Sequence, residues 1–173
     1  TEFDDMVING DLNSRYAYGG AFLAELIPLG KPGKLGKLDK LTGKGLLPGE
    51  GNVGTYKQLI KQGTAFDNIT PHHMPSAGKM KQAGVGRNDG ISMNMEQPHP
   101  GTGGRHRDTY TYGLSGKKLD GYLNLNYRDA LANDIMDARR IYMRDGLYTP
   151  EIRQGLQNTI QMNKDVYPNL FGK

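Results

Sequence analysis

Glycine limits how this chain can fold more than any other residue type does. The sequence contains 25 glycines among its 173 residues, and hydrophobic residues make up only 36% of it. Glycine loses more conformational freedom on folding than any other residue and is typical of turns, so we expect a loop-rich structure. Cysteine is absent, which excludes disulfides and thiolate-bound zinc. Any metal ion must therefore bind to histidine, carboxylate or amide side chains and to water.

The length, charge and apolar content limit the class of protein further. A chain of 173 residues is typical of one domain with an appended segment. The formal net charge of +4 mildly favours a polyanionic partner. The apolar runs are much shorter than the roughly 20 residues that span a bilayer, so we expect no membrane partner. No signal peptide is visible and the chain starts at Thr1 without a methionine, which favours a fragment of a larger protein.

The first 45 residues differ in composition from the rest. Glycine and lysine dominate residues 30–45, where the lysines recur about every three residues: Lys31, Lys34, Lys37, Lys40 and Lys44. The glycines weaken a helix here, so the segment is a solvated linker, a helix formed only in a larger assembly, or a cationic arm that lies on phosphates. We expect residues 1–45 to form an N-terminal linker segment and residues 46–173 to form the functional domain.

A capping box marks the first helix of that domain. Thr55 and Gln58 have the spacing of a capping box, in which each side chain satisfies a backbone N–H at the start of a helix. The pattern predicts a helix over residues 56–62, with Leu59 and Ile60 facing inward.

Two longer helices are predicted near the C-terminus. Asn126 is a good N-cap for a helix that runs to about Arg144, and Thr149 begins another that runs to about Lys164. Apolar residues recur in both segments with helical periodicity, so we expect these helices to be scaffold. Residues 113–126, which precede them, are predicted to be loop.

All four histidines lie between residues 67 and 112: His72, His73, His99 and His106. Imidazole is the commonest metal ligand and the side chain best suited to proton transfer near neutral pH. The adjacent pair follows a short β-prone run over residues 68–70. Neighbouring side chains of an extended chain point to opposite sides, so we expect one ring to bind a metal ion and the other to face the substrate.

A second strand is predicted over residues 91–95, where apolar and polar residues alternate. This pattern is typical of a half-buried strand. If the strand pairs with the one that carries His73, then Ser92 or Asn94 faces that imidazole. A hydrogen bond there would orient the ring and select its tautomer.

His106 lies between Arg105 and Arg107 at the start of a predicted short helix. Two neighbouring cations favour the neutral form of the ring, which a metal ligand must have. Both arginines are suited to binding a phosphate beside the metal ion. His99 lies between two prolines, and a structural role is the simpler interpretation for it.

Several motifs together resemble a known family. They read LPGEG at 47–51, VGTY at 53–56, DNITPHHMPS at 67–76, NDGISMNME at 88–96, PHPGTGGRHR at 98–107 and DGLY at 145–148. The order of a strand with two histidines, a second strand and a short helix with a histidine resembles the ββα-metal nucleases, also called HNH or His-Me finger nucleases. Over residues 46–171 the motifs look like the C-terminal nuclease domains of bacterial polymorphic toxins, which end Rhs-type proteins. The resemblance implies an α+β fold with a small ββα-metal core and additional helices.

The resemblance also implies roles for individual residues. His72 and His106 match the metal ligands of the family, His73 matches the general base, and Asn94 is a weaker match for the residue that orients the base. The usual second helix ligand is not evident in this sequence. Two further candidates for that ligand are His99 and Asp108. The implied cofactor is one divalent metal ion, with Mg²⁺, Zn²⁺ and Ni²⁺ as alternatives.

The function that the resemblance implies is an endonuclease toxin that hydrolyses phosphodiester bonds, with DNA favoured. Such a domain is delivered by its Rhs-type parent protein, acts in the cytoplasm of a target bacterium, and requires a cognate immunity protein in the producer. Two alternatives stay open. One is a ribonuclease that uses two histidines as acid and base without metal, and the other is a non-enzymatic module that binds nucleic acid or a protein.

Overall fold

The computed structural model describes residues 2–10 and 45–171 and has an α+β fold. Helices contain 54% of these residues and strands 10%, which confirms the predicted α+β class. The helical share is high for a chain that we expected to be loop-rich. One reason is that glycines such as Gly84 and Gly146 follow helices with positive φ, a conformation that ends a helix within a short turn.

A three-stranded antiparallel sheet forms in the middle of the chain. Its strands are β1 (Val53–Thr55), β2 (Ile69–His73) and β3 (Ile91–Glu96), in the spatial order β1-β3-β2. The predicted second strand is confirmed as β3, but the prediction that it is half-buried is wrong, because all of its residues are buried. β3 is the central strand, so it has a neighbour on each edge, and helices cover its side chains.

Helices surround the sheet. In chain order they are α1 (Glu2–Asn9), α2 (Tyr56–Gln62), α3 (Ala77–Gln82), α4 (Gly116–Leu123), α5 (Tyr127–Arg144), α6 (Pro150–Val166) and α7 (Pro168–Phe171). Two short 3₁₀ helices, Arg87–Asp89 and His106–Asp108, flank β3 in sequence. None of the described helices has an apolar stretch long enough to cross a membrane.

The predicted helix starts are confirmed by hydrogen bonds. The Thr55 hydroxyl accepts from the backbone N–H of Gln58, and the Gln58 side chain accepts from the backbone N–H of Thr55, which completes the capping box. The side chains of Asn126 and Thr149 cap α5 and α6 by accepting from the backbone N–H groups of Asp129 and Ile152. One prediction of orientation is wrong, since Ile60 on α2 is 52% exposed.

The loop predicted over residues 113–126 contains α4 instead. The sequence gives little sign of this helix, because Gly116 and Gly121 lower helix propensity and Ser115 makes no capping bond. Tertiary packing explains it: Tyr122 is fully buried and packs with Leu125 and other apolar residues beside α5.

The main core lies between the sheet and helices α1, α5 and α6. Phe3, Val7 and Ile8 of α1 are buried in it, so residues 2–10 belong to the folded unit and are not linker, which corrects the expected division at residue 45. Residues 11–44, which hold most of the lysine-rich and glycine-rich segment, lie outside the described residues. The interpretation of that segment stays a prediction.

Candidate active site

Three of the four histidines meet in one cleft. His72, His73 and His106 all line an open cleft of about 490 Å³. Its walls come from β2, α2, the start of α3, and the segment that follows the 3₁₀ helix His106–Asp108. His106 therefore lies in the same cleft as His72 and His73, although it is more than 30 residues away in the sequence.

The hairpin of β2 and β3 gives the two adjacent histidines different surroundings. β2 pairs with β3 in an antiparallel register that sets His73 opposite Ser92, so the predicted pairing is confirmed. Adjacent side chains leave a strand on opposite faces. The ring of His73 stacks on Tyr56 of α2 at 4.8 Å between ring centres, whereas the ring of His72 meets His106 edge to face at 5.1 Å.

A backbone carbonyl fixes the orientation of the His73 ring. Nε2 of His73 lies 2.8 Å from the carbonyl oxygen of Arg87, and a carbonyl can only accept, so Nε2 carries the proton and Nδ1 keeps a lone pair. Burial lowers the pKa of His73, the carbonyl bond opposes this, and the charge of Arg87 lowers the pKa further. Gly90 leaves room for the ring, because a Cβ there would lie 2.6 Å from Cδ2 of His73. His73 is therefore a neutral, oriented base at neutral pH.

Asn94 does not orient His73, which corrects the role that the motif suggested. Asn94 lies opposite Pro71 in the β2–β3 register, and its amide group donates to the carbonyl of Gly49 at 3.3 Å. The carbonyl of Arg87 orients the ring instead. A backbone group carries no residue identity, so no sequence motif could have revealed it.

His72 and His106 form a pair of neutral imidazoles. Burial, followed by the neighbouring imidazoles His106 and His73, holds the pKa of His72 well below its ordinary value. Burial, followed by the charge of Arg107, lowers the pKa of His106 to about 4. Nδ1 of His106 lies 2.5 Å from the side-chain oxygen of Gln97, so Nδ1 donates to that oxygen and Nε2 keeps a lone pair. The lowered pKa agrees with the expected neutral state of His106, and burial is its leading cause.

This pair fits a metal ion in its donor chemistry. His72 is only 5% exposed, and within the described ranges no hydrogen bond holds either of its ring nitrogens. A ligating histidine usually donates its second ring N–H to an oxygen that orients it, and the bond from His106 to Gln97 has this form. Two neutral imidazoles therefore meet edge to face in one cleft, and their donor chemistry suits a metal ion.

The two candidate additional ligands are not brought to this pair. Residues 2–10 and 45–171 contain no group of three or more His, Cys, Asp or Glu side chains that could hold a metal ion. The ring of His99 packs on Phe66 at 5.9 Å between centres, and Asp108 forms an ion pair with Arg144 at 2.9 Å. Since the described part of the chain supplies no third imidazole or carboxylate, water and substrate oxygens are the candidate further ligands beside His72 and His106.

Arg105 is not available for a phosphate, which corrects the role predicted for it. Its side chain is 4% exposed, and its Nε and Nη2 each donate to a different carboxylate oxygen of Glu50 at 2.7 Å. Asp145 lies 3.3 Å away and Glu96 lies 3.5 Å away, while the Tyr142 ring lies 5.5 Å from the guanidinium carbon. Burial alone would lower the pKa of Arg105, but Glu50 raises it, so the arginine stays charged inside the protein.

Arg107 and Arg87 are the two cations next to the histidines. Arg107 donates to the carbonyls of Gly103 and Pro98, each at 3.0 Å, and its charge lowers the pKa of His106. Arg87 lines the cleft, donates to the Tyr56 hydroxyl at 3.1 Å and lies over that ring. Within the part of the chain that the structure describes, neither arginine pairs with a carboxylate. Sequence reasoning missed Arg87, because its neighbours Asn88, Asp89 and Gly90 read as a turn.

Comparison of the chain with protein-family models, curated proteins and solved structures found no match. The support for a function therefore comes from two sources: the motifs that resemble toxin nucleases and the geometry of the cleft.

Proposed function

We propose that this protein is a metal-dependent endonuclease that hydrolyses phosphodiester bonds, with DNA as the favoured substrate. The observation that carries the proposal is the division of labour in the cleft. One imidazole, His73, is oriented as a base by a backbone carbonyl. Two others, His72 and His106, meet edge to face with lone pairs available. A base next to a two-imidazole cation site is the arrangement that metal-assisted hydrolysis requires.

His73 acts as the general base. Its Nδ1 accepts a proton from a water molecule, and the water oxygen attacks phosphorus as the bond to the leaving 3′ oxygen breaks. The leaving oxygen then takes a proton from solvent. The lowered pKa of His73 keeps Nδ1 unprotonated at neutral pH, and a base positioned in this way typically contributes a factor of about 10²–10⁴ in rate.

His72 and His106 are the residues that hold the divalent ion in this proposal. Such an ion, when bound, polarises a phosphoryl oxygen and stabilises the leaving oxygen. Imidazole ligands suit Zn²⁺ and Ni²⁺ better than Mg²⁺, so we favour Zn²⁺ and Ni²⁺ among the three candidate ions. Gln97 keeps the ring of His106 in the tautomer that exposes Nε2.

Arg87 and Arg107 attract the phosphate backbone and neutralise the charge that develops on the reacting phosphate. Both lie beside the histidines, and among the described residues neither is paired with a carboxylate. An arginine fork can donate two parallel hydrogen bonds to one phosphate. Arg87 replaces Arg105, which is buried on Glu50, in the role first predicted for the latter.

The biological setting rests on the motif resemblance alone. The proposal is an antibacterial toxin domain at the end of an Rhs-type protein, delivered from its producer into the cytoplasm of a target cell. A cognate immunity protein protects the producer. The basic surface near the cleft would suit an acidic inhibitor.

The test is a cleavage assay on plasmid DNA and on RNA, with each of the three candidate ions and with excess chelator. We expect DNA cleavage that needs the ion and that is lost in His73→Ala, while Gln154→Leu, which breaks only an exposed amide bond to Asn158 on α6, keeps it. Full activity of His73→Ala would refute the proposed base. RNA cleavage that persists in chelator, with DNA spared, would replace the proposal with a metal-free ribonuclease. Toxicity that survives His72→Ala/His73→Ala without any cleavage would indicate a binding module.

A further inference from the structure

Phe66 is the most exposed large hydrophobic residue among those described, at 76%. Its backbone has a φ of 61°, a left-handed conformation that a bulky L residue adopts only at a cost. Burial cannot explain this conformation, because the phenyl ring is in solvent. Strained residues of this kind are concentrated at ligand-binding positions, so the ring needs an explanation in terms of a partner.

Among the described residues, the phenyl ring has one aromatic neighbour, His99. The two ring centres lie 5.9 Å apart with an angle of 30° between the ring planes, and His99 is itself exposed. Asn68, two residues after Phe66, ties the two segments together, since its side chain and its carbonyl accept hydrogen bonds from the backbone N–H groups of His99 and Gln97 at 3.0 and 2.7 Å. The two rings therefore form a small exposed aromatic surface on two joined segments of the chain.

This aromatic pair, Phe66 with His99, is connected to the candidate active site. Gln97, two residues before His99, accepts a hydrogen bond from the ring of His106. On the other side, β2 leads from Ile69 to His72, a span of about 10 Å for three residues of extended chain. Arg107, the residue after His106, donates to the carbonyl of Pro98, the residue before His99. A cationic group therefore adjoins the loop that carries one ring of the aromatic pair.

We propose that Phe66 and His99 form a stacking site for an unpaired base of the substrate, which makes single-stranded nucleic acid the preferred substrate of the cleft. This inference rests on the proposed nuclease function. Aromatic side chains beside a cationic path are the usual means of holding single strands, because every base offers a face for stacking. In a duplex both faces of each base are already stacked, so the aromatic pair adds nothing to duplex binding.

A protein partner fits the aromatic pair less well. Binding hot spots on proteins are typically surrounded by other contacts that exclude water. The residues beside Phe66 in the chain, Thr64 and Ala65, are small and exposed, and a glycine-rich loop follows His99. Ile60 on α2 is another exposed apolar side chain, and it provides the matched control for a general apolar effect.

The test measures the affinity of fluorescein-labelled oligonucleotides for His73→Ala protein in chelator, so that no cleavage occurs. The probes are a length series of single strands and a duplex of the same sequence. We expect Phe66→Ala to weaken binding of the longer single strands roughly 5- to 150-fold, with Phe66→Tyr close to the parent and Ile60→Ala unchanged. Duplex affinity should not change in any of these variants.

Unchanged single-strand affinity in Phe66→Ala would overturn the stacking site. Equal losses on single strand and duplex would also overturn it, because a stacking site cannot act on paired bases. Since binding is measured without catalysis, these outcomes are separate from the fate of the nuclease proposal. If the protein bound single strands through Phe66 but never cut them, the nuclease proposal would be refuted and the stacking site would stand.

Discussion

Arg105 and His106 are neighbours in the chain, yet they belong to two regions that treat polar groups in opposite ways. Arg105 lies in a buried ion cluster with Glu50, Glu96 and Asp145, which we call the Glu50–Arg105 cluster. The guanidinium of Arg105 is satisfied there by two short hydrogen bonds to Glu50. His106 lies in the histidine cleft, where neutral imidazoles keep their lone pairs and where Arg87 and Arg107 have no carboxylate partner among the described residues. Groups that satisfy one another stabilise the fold, and groups left unsatisfied at a cleft are available for chemistry.

The Glu50–Arg105 cluster also joins distant parts of the chain. Glu50 accepts hydrogen bonds from the Tyr142 hydroxyl at 2.8 Å and from the backbone N–H groups of Leu47 and Glu96 at 3.0 and 3.2 Å. It therefore fastens the segment before β1 to β3 and to α5. Because breaking a buried ion pair leaves an uncompensated charge, this region should control stability while the cleft controls activity.

The largest effect should come from the cleft. His73→Gln keeps a donor for the carbonyl of Arg87 but removes the base, so we expect the turnover rate of DNA cleavage to fall by about 10²–10⁴. The unfolding free energy should change by no more than about 1 kcal/mol. Cleavage kinetics and urea unfolding of the same preparations measure the two quantities. A loss of stability that accounts for the whole loss of activity would erase the contrast between the regions.

The second effect should be the mirror image. Arg105→Met leaves Glu50 buried without its partner, and we expect the unfolding free energy to fall by about 3–5 kcal/mol. Turnover per folded molecule should stay near that of the wild type. Arg107→Met is the matched control, and it should weaken substrate binding with little change in urea midpoint. If Arg105→Met abolished turnover in protein that is fully folded, Arg105 would belong to the cleft after all.

The segment of residues 105–107 shows how far the sequence can predict this site. Local signals gave the capped helices and both strands of the hairpin, since these depend on short-range patterns, whereas the meeting of His72, His73 and His106 was expected from the motif resemblance. The sequence could not separate Arg105 from Arg107, because the partner of Arg105 is Glu50, 55 positions away. Nor could it assign the orienting group of His73, since the carbonyl of Arg87 is a backbone atom.

The third effect separates the two regions by pH. The folded pKa of His106 is about 4, below its ordinary value of 6.5. The stability linked to the neutral ring is therefore present above pH 6.5 and lost as the pH falls through 4. The loss is about 2 kcal/mol once solvent screening of this partly exposed ring is allowed for. Glu50 also has a lowered pKa, because Arg105 and other hydrogen bonds outweigh its burial, so its contribution is lost only below its ordinary value of 4.5.

Urea midpoints measured in chelator between pH 7 and pH 3 test this order. His106→Gln should flatten the upper part of the curve, from about pH 6.5 to 4, and Glu50→Gln should flatten the part below about pH 4.5 while lowering stability at every pH. If both variants flattened the stability curve over the same pH range, the two regions would not be separated by pH.

The smallest effect should come from Gln97, a neutral residue of the cleft that acts only through its hydrogen bond to His106. Gln97→Leu removes the oxygen that accepts from Nδ1 of His106, so the ring loses the bond that selects its tautomer. Loss of such a supporting bond typically weakens metal binding about 10- to 100-fold, and because the ring also stays packed against His72 we expect a value near the lower end. The concentration of Zn²⁺ or Ni²⁺ that gives half-maximal cleavage measures it. Gln154→Leu, which breaks an exposed amide bond to Asn158, is the matched control and should leave that concentration unchanged. Equal shifts in the two variants would mean that His106 does not bind the ion, and the cleft would then resemble the Glu50–Arg105 cluster more than its geometry indicates.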